Sequence, residues 1–74
     1  MRLSEIKPYK KAKITAFLNI GEIKTKLENV GLKTGAVITV LNIAPLNTPI
    51  EIKCKNIRLA IAKSEAEKIV VEYV

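Results

Sequence analysis

Cys54, Ser4 and Ser64 are the residues on which nucleophilic catalysis in this chain would have to draw. A thiol or hydroxyl becomes a useful nucleophile only beside an activating base, most often an imidazole. The sequence contains no histidine, so that activator and the commonest transition-metal ligand are both missing. Ser4 and Ser64 each stand where the N-cap of a short helix is expected, and there the hydroxyl serves the backbone. Seven carboxylates remain. Glu51 and Glu72 fall on the solvent sides of strands and Glu65 and Glu67 on a helix start, whereas hard-cation sites gather their oxygen ligands more tightly. Gly31 and Gly35 are too sparse for a dinucleotide or phosphate-loop fingerprint and suit turns instead. No catalytic residue, cofactor-binding residue or metal ligand is therefore assigned, and an iron site built by this chain is not expected.

The elements that place these residues follow from hydrophobic period. In Pro49–Lys55, Ile50, Ile52 and Cys54 alternate with Glu51, Lys53 and Lys55, the pattern of a strand with one buried face. This puts Cys54 inside as a buried thiol, in keeping with a reducing compartment. A second alternating run, Ile57–Lys63, puts Ile57, Leu59 and Ile61 on one side. The short connection through Lys55 and Asn56 predicts a tight hairpin with Asn56 in the left-handed region. Pro45 and Pro49 exclude an interior strand over 44–49. Ser64-Glu65-Ala66-Glu67 predicts a capping box, with Ser64 as the cap and Glu67 reaching back.

Upstream, Leu3 to Lys7 forms a short turn stopped by Pro8, and Lys11–Leu18 is a strand with Ala12, Ile14, Ala16 and Leu18 inward. Phe17 points outward in that register, as a cover over a sheet edge or a contact for something else. From Ile20 to Val30 the period becomes helical, with Ile20, Ile23, Leu27 and Val30 on one stripe and Gly31 as the stop. Val37–Ile43 is a strand with Ile38 and Val40 inward, leaving Val37, Thr39 and Leu41 outside. Ile69–Val74 closes a mainly β barrel of about five strands, with one short amphipathic helix at about 20–30 and a helical turn near 64–68.

Seventy-four residues make one domain, 1–74, and a chain this size buries only about 60% of its unfolded surface. The 49% hydrophobic fraction is aliphatic and β-branched, favouring strands over disorder. No apolar run is long enough for a secretory signal or a membrane span, so a cytoplasmic location without membrane insertion is expected. Thirteen basic residues against seven acidic ones leave a net charge of +6, which favours an acidic partner. Lys7, Lys10, Lys11 and Lys13 cluster early, and Lys53, Lys55 and Arg58 lie on outward strand faces. A nucleic-acid-binding barrel would use such a stripe, but single-strand binders add stacking aromatics, and only Tyr9, Phe17 and Tyr73 are present.

Gly31-Leu32-Lys33-Thr34-Gly35, Ala44-Pro45-Leu46, Pro49-Ile50-Glu51-Ile52, Arg58-Leu59-Ala60 and Ser64-Glu65-Ala66 stand in the order and spacing seen in the FeoA family of ferrous-iron-transport accessory proteins. The chain resembles that family from Arg2-Leu3-Ser4 to its C-terminus. The resemblance implies an SH3-like β-barrel, no catalysis, transition-metal binding only as a family-level property, and association with the cytoplasmic part of a FeoB-type ferrous iron transporter. A similar domain occurs fused to metal-responsive transcriptional regulators, the alternative context alongside a nucleic-acid-binding barrel. The chain departs from the family pattern at Asn19-Ile20-Gly21-Glu22-Ile23, where a more basic, glycine-rich stretch is expected, and at Asn47-Thr48 and Asn56. Outward apolar groups and the basic strand give the expected contact residues as Phe17, Ile23, Leu27, Leu46, Lys53 and Lys55, and open barrel edges allow a homo-oligomer.

Overall fold

The computed structural model describes residues 1–18, 21–43 and 49–74, with the side chains at 22, 23, 42 and 43 left aside. Five antiparallel strands, β1 (Lys11–Phe17), β2 (Val37–Ile43), β3 (Ile50–Cys54), β4 (Ile57–Ile61) and β5 (Ile69–Tyr73), form one sheet in the order β4-β3-β2-β1-β5. Two short helices, α1 (Glu22–Asn29) and α2 (Lys63–Ala66), and a 3-10 turn at Leu3–Glu5 complete the described elements. Ile61 from one end of the sheet and Ile69 and Val71 from the other share a single core with Ile14, Ile38, Val40 and Ile52. The sheet therefore curls around an aliphatic interior, as an SH3-like barrel does. Leu3, Ile6, Leu27, Leu32 and Ala66 join that core from the turn, the helices and the loop between α1 and β2.

Two β-bulges bend the sheet and change the expected alternation. In β1 the partners shift from Ile14 opposite Val71 to Ala16 opposite Val70, leaving Thr15 as the extra residue. Its hydroxyl donates to the Val70 carbonyl at 3.2 Å. One inserted residue exchanges the two faces of everything that follows. Ala12 and Ile14 are buried as the alternation predicts, but Leu18 is exposed and Phe17 packs against the core. In β2 the same shift, from Val40 opposite Ile52 to Asn42 opposite Glu51, leaves Leu41 as the extra residue.

Three further local expectations are corrected. The β3–β4 hairpin has the predicted two-residue loop, with Cys54 opposite Ile57, but Lys55 holds the left-handed conformation (φ 56°) rather than Asn56. A single positive φ at the first loop position is the pattern of a type II′ turn. Ile57, expected inward, is 43% exposed, because β4 ends the sheet: Leu59 packs only partly against the core and Ile61 at the far end is the strand's one buried residue. Finally, α2 starts two residues earlier than the capping-box reading requires. Ala62 is its cap, and the Glu65 carboxylate accepts the Ala62 N–H at 3.1 Å. Glu5 does the same for the Arg2 N–H at the first turn, so glutamates, not Ser4 or Ser64, satisfy both helix starts.

Candidate partner-binding surfaces

Cys54 is 4% exposed and belongs to the core. Burial among aliphatic side chains leaves the thiol out of reach of a substrate. Among the described residues no group of three or more Cys, Asp or Glu side chains is placed to hold a metal ion. No described helix is long and apolar enough to cross a membrane. Two surfaces stand out among the described residues.

The first is a small apolar cavity of about 90 Å³ where α1 meets the end of the sheet. Leu27 of α1 and Val30, its C-cap, line it together with Leu59, Ala60 and Ile61 of β4, Lys26 and Glu65. Leu27 is only 7% exposed, which corrects its reading as an outward anchor. The leucine belongs to the core that the curled sheet encloses. Phe17 is likewise half-buried against the core, so of its two expected roles the structure favours the edge cover. Ile23 lies in α1 with its side chain outside the described set, and Leu46 lies outside the described residues altogether.

The second surface is the outer face of β1, β2 and β3, where Lys53 and Lys55 are both exposed. Register places Lys11 opposite Thr39, Thr39 opposite Lys53 and Lys53 opposite Arg58, one residue from each of four strands in a row across the sheet. The next row holds Lys13 opposite Val37. Glu72 lies 3.5 Å from Lys13, and Glu51 lies 4.0 Å from Arg58, both exposed pairs at the margins. Lys11, Lys53 and Lys55 make no ion pair among the described residues. The sequence shows each of these residues as outward, but only the strand order brings Lys11 and Lys13 across β2 from Lys53 and Lys55. Lys55 and Val37 also border an open pocket shared with Lys33, Thr34 and the Gly31–Gly35 loop.

The FeoA domain model matches residues 1–73. The chain belongs to the FeoA family. FeoA of Chlorobium tepidum, solved in solution, is 36% identical and superposes with a TM-score of 0.92 over 100% of this chain and 70% of its own. An iron uptake regulatory protein, also a FeoA, is 34% identical with a TM-score of 0.89, covering 100% of this chain and 97% of that one. The zinc complex of Stenotrophomonas maltophilia FeoA, described as a prokaryotic SH3 domain protein and a candidate activating factor of ferrous iron transport, shares the fold at 24% identity. Its TM-score is 0.84, over 97% of this chain and 89% of that one. No curated protein matches the sequence. FeoA membership links the chain to ferrous iron transport and agrees with the SH3-like architecture.

Proposed function

We propose that this protein is a non-enzymatic, cytoplasmic accessory subunit of ferrous iron uptake that acts by contact with the cytoplasmic part of a FeoB-type transporter. The FeoA match over residues 1–73 carries the reading. The buried thiol and the absence of histidine support a role in binding other proteins rather than in chemistry. The test is co-purification of the intact chain with the transporter's cytoplasmic domain. Stable association is expected, weakened by Ile23→Asp and Leu46→Asp; no association of the unaltered chain refutes the docking role.

A further inference from the structure

We infer that the outer face of β1–β3 is a lysine-railed groove for an acidic, extended polypeptide segment of a protein partner. The inference rests on the transporter-contact reading and gives that contact its chemistry. Lys11 and Lys13 of β1 form one rail, and Lys53 of β3 and Lys55 just beyond it form the other. Between them lie only the short side chains of β2, Val37 at 44% exposure and the half-buried Thr39. The rails stand two strand spacings apart, about 10 Å, and the lysines along each rail are about 7 Å apart. An extended chain laid over β2 fits this geometry. Its successive side chains point to opposite sides, so consecutive carboxylates reach the two rails in turn.

Two observations select an acidic polypeptide over a polyphosphate. Glu72 and Glu51 bracket the lysines at 3.5 Å from Lys13 and 4.0 Å from Arg58, breaking the positive field that a nucleic-acid backbone or an anionic bilayer needs beyond the groove. Among the described residues the side chains between the rails are those of Val37 and Thr39, neither of them an aromatic on which a base could stack. The lysines can engage a ligand readily, because Lys11, Lys53 and Lys55 have no competing acid among the described residues.

Fluorescence anisotropy with a labelled hexaglutamate peptide, flanked by Gly-Ser, tests the groove directly. Binding is expected to weaken about 5-fold for Lys53→Glu and about 25-fold for Lys11→Glu with Lys53→Glu, since the two act from separate rails. Lys24→Glu, the same charge change on α1, should alter it by less than about 2-fold. Circular dichroism confirms that each variant is folded. Wild-type chain that ignores the peptide, equal losses for Lys24 and Lys53, or tighter binding of an oligonucleotide or a phosphatidylserine vesicle each overturn the inference. Repeating the co-purification with the double variant separates the two readings. Undiminished transporter binding by the variant leaves the transporter contact standing and removes the groove from it. Peptide binding that depends on the rails, in a wild-type chain that does not bind the transporter, leaves the groove standing alone.

Discussion

Replacing Lys55 by glycine should make the protein more stable while removing one of its outward charges. Lys55 holds φ at 56° at the first position of the β3–β4 loop. There a side chain with a Cβ costs roughly 1–2 kcal/mol relative to its preferred conformations. Glycine removes that cost but gains freedom in the unfolded chain, which takes back roughly 0.5–1 kcal/mol. Little packing is lost, because Lys55 is exposed. The net gain is about 0.5–1 kcal/mol, which for a chain of 74 residues raises Tm by about 4 °C. Asn56→Gly is the matched comparison: Asn56 is not left-handed, so glycine there brings only the entropic cost, and Tm should fall by a few degrees. Thermal unfolding followed by circular dichroism, with urea titrations to confirm two-state behaviour, measures both. If Asn56→Gly stabilises and Lys55→Gly destabilises, the left-handed residue is the one that alternation and turn propensity favoured, and the hairpin geometry described above is wrong.

Phe17→Ala should cost about 2 kcal/mol in urea unfolding and Leu18→Ala less than about 0.5 kcal/mol, because the Thr15 bulge turns Phe17 toward the core and Leu18 to solvent. Equal costs, or the reverse order, would restore the unbroken alternation. Glu65→Ala should destabilise by about 1 kcal/mol through loss of the acceptor for the Ala62 N–H, while Glu65→Gln recovers most of it and Ser64→Ala changes stability by less than about 0.5 kcal/mol.

The strands and α1 were legible because each carries a clean period. Val37–Ile43 is bounded as its alternation indicates, with Ile38 and Val40 buried, and Ile52 and Cys54 are buried in β3. What alternation cannot register is an inserted residue. Thr15 and Leu41 look like ordinary strand residues, and only the partner strand shows that each has no opposite number. Ile57 failed for a related reason: sequence shows a strand's two faces but not that the strand lies at the end of a sheet. A hydroxyl at a plausible position looks like a cap, whereas the start of α2 depends on where β4 leaves the sheet, which puts Ala62 and not Ser64 at the cap. Lys53 and Lys55 were visible as outward residues. Their meeting with Lys11 depends on β1 lying beside β2 in the sheet, a pairing that local pattern does not encode.

The pairing of β1 with β5 also governs when the protein can fold. Contacts run from Ala12 opposite Tyr73 to Phe17 opposite Ile69, so β1, with β2 on its other side, gains its second neighbour only from the last strand of the sheet in sequence, β5. The β3–β4 hairpin is local and can form early, but closing the β1–β5 pair spans nearly the whole sequence and carries the corresponding loop entropy. During synthesis β1 therefore emerges early and waits, with Ala12 and Ile14 unsheltered until Ile69–Tyr73 has cleared the ribosome. The interval before that closure is when this unit is most exposed to aggregation or to chaperone capture.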